Sequence, residues 1–506
     1  MNRRTRLAFR PLLLAGLLCG GAGFAAAQPA GPASGASSAA PSADPFATPP
    51  PPAAPRPLSI AAPKEQRLSN GLRVVVAERP GVPLVSLRLV VGRGAEADPP
   101  QRAGLASLTA NLLTRGSTRH SAPALATAAE ALGGSLQAGA GWNTSGIGIT
   151  VMTPMAGRAM ALLAEVALQP AFAQAELDRL REQVLDDLKV AYANPGTLAS
   201  LAVQRATFGG TAYGHPVSGT PASLPRITRQ DLLALHRQAW RPEQAVMVFA
   251  GDVTLAQAVA LAQQHLGGWR AAPGAAAADA AAVKVDAAAL AGAAVPAPVV
   301  VDMPGAGQAG VAVALQAVPA ASPERYAAAV TNSVLGQGYS SRLNQEIRIK
   351  RGLSYGVGST LDLRRDAGVL RLGVQTKNPS APEVLQLVGS ELDRLVAESV
   401  PAAELAARKA ALIGNFGRAM ETTAGLADEA GSLALAGLPL TDLNQRIAQL
   451  DAVSAAEVQA FAKAHFGAAQ RRFAVAGVAS EFASQLPGPA WRVVPVAQLV
   501  NEADAH

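Results

Sequence analysis

The sequence predicts an α+β fold of two homologous domains, each a mixed β-sheet packed with helices. Three observations predict it: a pattern repeated at one fixed offset, β-rich runs interleaved with helical stretches, and an Ala-rich segment near mid-chain. Thr228-Arg229-Gln230-Asp231 has the form of a capping box opening a helix, and Ser454-Ala455-Ala456-Glu457 repeats it 226 residues later. Trp240 and Gly251, the second ending the β-rich run 246–251, have counterparts in Phe466 and Gly477 at the same offset. A period that long exceeds any solenoid repeat and indicates two copies of a domain.

Within the first copy the elements follow in order. Asn70-Gly71 is a turn signal leading into the β-rich run 72–76, and residues 85–91 form a second strand pattern. Residues 102–115 read as a helix stopped by Gly116, and 124–132 as another stopped by Gly133. Residues 147–153 alternate as a strand, while 156–167 and 174–191 carry helical periodicity. Strands interleaved with helix pairs imply sheets covered by helices.

The flanks set the boundaries. Residues 1–27 hold an Arg-rich start, a short apolar core at Leu12-Leu13-Leu14-Ala15-Gly16-Leu17-Leu18, and Ala25-Ala26-Ala27 before Gln28. That is the pattern of a cleaved secretory signal peptide, and it is too short for a permanent membrane anchor. The expected location is the periplasm. Residues 28–60 are Pro, Ala, Ser and Gly with almost no charge, a composition that reads as a flexible tether. The first domain is assigned to 61–270, an Ala-rich linker to 271–297, the second domain to 298–490 and a tail to 491–506. Alanine favours helix, so the linker is expected to be partly helical.

Composition excludes several functions. The one cysteine, Cys19, falls inside the signal segment, so the mature chain has neither disulfide nor thiol chemistry. The net charge of +7 is modest and no run of basic residues survives cleavage, which argues against nucleic acid as a partner. The six histidines (His120, His215, His236, His265, His465 and His506) include no pair at i, i+3 or i+4. His120 and His265 read as solvated or helix-end residues, His215 as part of a turn, and His236 and His465 as surface or boundary residues. Ser107 has no base nearby in sequence and reads as a small packed residue rather than a nucleophile.

Several short motifs occur together: Leu68-Ser69-Asn70-Gly71-Leu72, Gly104-Leu105-Ala106, Gly133-Gly134-Ser135-Leu136, and Tyr213-Gly214-His215-Pro216 with Gly219 and Pro221. The second half adds Ser341-Arg342-Leu343 and Arg351-Gly352-Leu353-Ser354-Tyr355-Gly356. In order and spacing this set resembles the pitrilysin/insulinase-type (M16) zinc peptidases, including the mitochondrial processing peptidase group, over about residues 61–490. The resemblance implies two domains facing each other as a half clamshell. It also implies an inverted zinc motif, HxxEH, just after Gly104-Leu105-Ala106. Those three positions are Ser107, Ala110 and Asn111 here, and the downstream glutamate ligand falls at Asp187, so the chain itself is expected to hold no cofactor. The resemblance further implies that Arg348 and Tyr355, seven residues apart, hold the substrate backbone; both donate hydrogen bonds suited to a peptide carbonyl. It offers residues 135–140 as an edge strand to which a peptide could add.

Short-chain members of the family often work as pairs, one subunit supplying HxxEH and the other the Arg/Tyr pair. The expectation is therefore a non-zinc, substrate-binding subunit of a periplasmic heteromeric metallopeptidase acting on peptides or unfolded polypeptides. Zinc is expected on an HxxEH-containing partner. The alternative is a catalytically inactive peptide-binding or scaffold protein of the same fold.

Overall fold

The protein was analysed as a computed structural model, which describes residues 60–271, 285–488 and 490–501. The signal segment, nearly all of the tether and part of the Ala-rich linker lie outside the described residues. The described residues belong to one compact unit. The described end of the Ala-rich segment is helical over Ala287–Gly292.

The first half builds a six-stranded sheet from β1 (Lys64–Arg67), β2 (Arg73–Glu78), β3 (Leu84–Val91), β4 (Gln137–Ala140), β5 (Ser145–Met152) and β6 (Ala245–Gly251), in the order β1-β2-β6-β3-β5-β4. The second half uses β7 (Val299–Asp302), β8 (Ala309–Ala317), β9 (Val357–Leu363), β10 (Gly368–Thr376), β11 (Arg472–Gly477) and β12 (Arg492–Pro495), in the order β12-β7-β11-β8-β10-β9. With β1 and β12 set aside, the two orders are the same. Each sheet has a parallel pair, β2 with β6 or β7 with β11, followed by antiparallel strands, and β12 adds to β7 in parallel where β1 adds to β2 antiparallel. The helices Arg229–Ala239 and Ala455–His465 both open with the capping box seen in the sequence. The fold is thus α+β with two mixed sheets.

β6 is buried along its whole length, so both of its faces must be covered. On one face lie helices of the same half, including Leu105–Leu112, Ala156–Leu168 and Arg229–Ala239. On the other, Val75, Val246 and Val248 meet Phe416, Leu426 and Leu433, which come from the second half. The loan is returned. The helix Pro195–Phe208 of the first half packs Leu198, Ala202 and Val203 against Val301, Ala312 and Ala474 of the second sheet. Each fully buried Val, Leu or Phe among these contributes about 1.5–3 kcal/mol and each Ala less, so the two halves share their stability. The approach is close: a Cβ on Gly310 of β8 would lie 2.4 Å from the Gly196 nitrogen.

The β4–β5 and β9–β10 turns also meet. The Arg365 amide donates to Asn143 Oδ1 at 2.9 Å, and Asn143 Nδ2 donates to the Tyr213 hydroxyl at 2.8 Å. Burial pushes the Tyr213 phenol up to about 12, so it stays a neutral hydrogen-bonding group. Among the described residues no helix is long and apolar enough to cross a membrane.

Candidate functional site

The helix Leu105–Leu112 is shorter than the sequence pattern suggested. Residues Pro100–Arg102 form a separate 3-10 turn, and Gly104 takes φ 96°, so the α-helix starts only at Leu105. A side chain at Gly104 would be strained in that conformation and would put Cβ 2.9 Å from the Gly219 Cα. The Gly104 and Gly219 of the sequence motifs are therefore one packing contact. Asp98 caps the start: its carboxylate oxygens accept the Gly104 and Ala106 amides at 3.0 and 2.9 Å. Burial holds this carboxyl well above the ordinary aspartate range, while the amide bonds pull the other way. Sequence reasoning missed Asp98, because it stands six residues before Gly104 rather than at the usual cap position.

On this helix Ser107 and Asn111 stand one turn apart on one face, as the motif spacing requires. Asn111 Nδ2 donates to the Ser107 carbonyl at 2.8 Å and approaches the Ser107 Oγ at 3.4 Å. The face is bonded to itself. Ala110 is buried and brings no functional group. Asp187 is exposed on Gln174–Tyr192, a helix that packs against Leu105–Leu112. A hydroxyl, a methyl and an amide do not make a zinc site with a single carboxylate, so these residues do not fit the ion the family resemblance implies. Among the described residues no group of three His, Cys, Asp or Glu could hold a metal.

The histidines lie apart, each with its own surroundings. His120 Nδ1 lies 2.7 Å from Glu165 Oε1, which anchors the loop while the ring stays partly exposed. His236 sits at a boundary between Phe172 and Trp240, with Nε2 2.8 Å from the Ala167 carbonyl, and burial lowers its imidazole to about 4. Burial likewise lowers His215 and His465.

The structure brings Arg348 and Tyr355 together. Arg348 lies in a π-helical segment, Asn344–Ile349, and Tyr355 stands just before β9, beyond Gly352 at φ 62°. The Arg348 guanidinium carbon is 4.9 Å from the Tyr355 ring centre and 4.9 Å from that of Tyr339. Tyr355 is 91% exposed and Tyr339 62%. Tyr339 was not singled out from sequence; an aromatic beside Gly338, three residues before Arg342, was the available signal.

The surrounding charges are occupied. Lys350 and Arg351 both pair with Glu346, and Arg342 makes a bidentate pair with Glu404 at 2.8 Å for each bond. Among the described residues no hydrogen bond or ion pair engages the Arg348 guanidinium. Both rings lie beside the guanidinium, and its N–H donors meet no acceptor among the described residues. That arrangement presents a planar fork to a carbonyl or carboxylate oxygen.

β4 is the last strand of its sheet and pairs only with β5, so one side of its backbone is unpaired among the described residues. Small side chains at Ala138, Gly139 and Ala140 leave that edge accessible.

Comparison with known proteins accounts for these motifs together. Residues 73–221 match the family described as insulinase (peptidase family M16), and residues 226–412 match its peptidase M16 inactive domain. The chain belongs to the M16 peptidase family. An uncharacterised zinc protease of Mycobacterium leprae is 28% identical over 400 residues, covering 78% of this chain and 87% of that protein. The uncharacterised zinc protease YmxG of Bacillus subtilis is 22% identical, covering 80% of this chain and 95% of its own. Among solved structures, a peptidase M16 inactive domain from Pseudomonas fluorescens superposes with TM-score 0.73 at 25% identity, over 85% of this chain and all of that one. A protease from Helicobacter pylori shares the fold, with TM-score 0.75 at 16% identity over 83% of this chain and all of that one. The helix with Ser107, Ala110 and Asn111 falls within the insulinase match, and the inactive-domain match covers the second half from residue 226.

Proposed function

We propose that this M16 chain is the non-zinc, substrate-binding subunit of a periplasmic heteromeric metallopeptidase that cleaves peptides or unfolded polypeptides. The observation that carries the reading is the open Arg348 fork beside Tyr355, in a chain whose zinc face is bonded to itself. The fork and the Tyr355 hydroxyl would donate to the carbonyl of the bond being cleaved and to the negative charge that grows on its oxygen. The unpaired edge of β4 would align the peptide through main-chain hydrogen bonds. Metal chemistry would come from an HxxEH-containing M16 partner, which holds the zinc. The likeness to an M16 inactive domain supports such a pairing, and the N-terminal signal pattern supports the periplasm.

The test is co-purification from the native periplasm, followed by separation of the chains and metal analysis of each. The proposal expects an HxxEH-bearing chain that carries zinc, this chain without it, and peptide hydrolysis only by the mixture. Recovery of this chain alone, or hydrolysis by the partner alone at the full rate, would favour a scaffold of the same fold.

A further inference from the structure

A cavity of about 800 Å³ opens where the two halves meet, within the roughly 300–1,000 Å³ typical of small-molecule sites. Part of its lining is an apolar wall, formed chiefly by Leu412, Phe416, Leu433, Leu435, Leu438 and Leu450. Another part comes from the tips of two β-hairpins, residues 141–144 and 362–365.

The lining carries four arginines, Arg325, Arg364, Arg365 and Arg446, against two acids, Asp362 and Glu429. Three of the four are tightly engaged. Arg364 is 2% exposed and pairs with Asp362 at 2.9 Å, Arg325 pairs with Asp442 at 2.6 Å, and Arg446 pairs with Glu429. Arg365 differs. Its side chain is 35% exposed, and its guanidinium meets the Gly92 carbonyl at 3.4 Å and Glu96 and Asp366 at 3.5 Å each. Contacts of that length lie at the weak limit of hydrogen bonding. Asp442, Glu96 and Asp366 do not line the cavity, so the lining itself is cationic. A cationic cleft with one loosely held guanidinium suits a carboxylate.

We propose that this cavity binds a fatty acid, its single acyl chain on the leucine wall and its carboxylate held by Arg365. The apolar wall separates this occupant from a peptide. A peptide brings a row of amide N–H groups that leucine side chains cannot accept, and burying them unpaired is costly; an acyl chain brings none. The Arg365 amide donates to Asn143 Oδ1, so the carboxylate would sit where the two hairpins join. Neither the wall nor the anchor depends on the peptidase reading above.

The test is calorimetric titration of the full chain with sodium decanoate. Saturable one-to-one binding is expected. Octanoate, two methylenes shorter, should bind more weakly by roughly four-fold per methylene. Decan-1-ol, which lacks the charge, should bind at least ten-fold more weakly than decanoate. Arg365→Gln should abolish that preference while decan-1-ol binds as before. Ala419→Asp should weaken decanoate binding at least five-fold, because Ala419 lines the cavity at an exposed helical position where an acid leaves the core intact. Arg348→Ala should bind decanoate as the parent does. No saturable binding, equal affinity for octanoate or decan-1-ol, a preference unchanged by Arg365→Gln, unchanged binding by Ala419→Asp, or a loss in Arg348→Ala would each overturn the proposal. Equal affinity for N-acetyl-Leu-Phe-Leu would overturn the choice of an acyl chain. Because binding to the single chain is measured, this site can fail while the subunit reading stands, and the reverse.

Discussion

The two halves of the molecule share a sheet order and a capped helix at one offset, yet they treat their functional positions in opposite ways. In the first half, Asn111 bonds to Ser107 and Ala110 is buried, so the helix that carries metal chemistry in HxxEH relatives is closed on itself. In the second half, Lys350, Arg351 and Arg342 each have an acid partner and Arg348 has none among the described residues. Duplication supplied two similar frames. The difference is that the polar groups on the first face satisfy each other, whereas the Arg348 guanidinium has no acceptor among the described residues.

The comparison can be strained first at Gly104, which holds the closed helix in place. Gly104→Ala forces a side chain into a left-handed backbone and against the Gly219 Cα, so we expect a loss of about 2–4 kcal/mol in denaturant unfolding. An unchanged midpoint would mean that the helix start is not under this constraint.

Acid should separate the halves next. His236 belongs to the first half, and the position 226 residues later is Ala462. Its folded-state imidazole is lowered from 6.5 to about 4 by burial, so the unfolded chain binds the proton first as pH falls. The stability this group contributes is complete above about pH 6.5 and is lost on acidification towards pH 4, to a total of roughly 3 kcal/mol. His236→Asn should flatten that part of the stability–pH curve, measured by thermal unfolding across pH 4–7.

Restoring the motif sharpens the contrast itself. Ser107→His, Ala110→Glu and Asn111→His together place a carboxylate at a buried position, so the variant should be less stable than the parent without metal, by about 1–3 kcal/mol. Added zinc should recover part of that loss, because two imidazoles one turn apart supply ligands that the parent lacks. A melting temperature indifferent to zinc would show that residues 107–111 do not occupy the ancestral metal face. The smallest change is Asn111→Ala alone, which removes one partly exposed hydrogen bond and should cost about 0.5–1 kcal/mol.

Much of the frame was legible in the sequence because duplication preserves spacing. The two capping boxes and the strand-ending Gly251 and Gly477 mark equivalent places in both sheets. The Gly104 and Gly219 motifs were visible too, but not that they touch, since a contact across more than a hundred residues leaves no local periodicity. The exchange of helices was hidden for the same reason: Pro195–Phe208 looks like any amphipathic helix, and nothing in its pattern says which sheet it covers. At the candidate site, Arg348 and Tyr355 were found through a motif, whereas Tyr339 comes near through a turn and a π-helical segment that spacing alone does not foretell. Asp98 escaped because it caps its helix from six residues upstream of Gly104.

The central claim is that the open fork serves a partner's chemistry, and peptide hydrolysis by the reconstituted complex tests it most directly. Arg348→Ala should lower turnover about 10²–10³-fold, the loss typical of a donor to a developing oxyanion. Tyr355→Phe, which removes only a hydroxyl from a ring that is 91% exposed, should lower it at least ten-fold. Size-exclusion chromatography should show both complexes intact, since neither side chain is buried in the chain's own core. Parental rates from both variants in an intact complex would contradict the account and leave this chain as a scaffold.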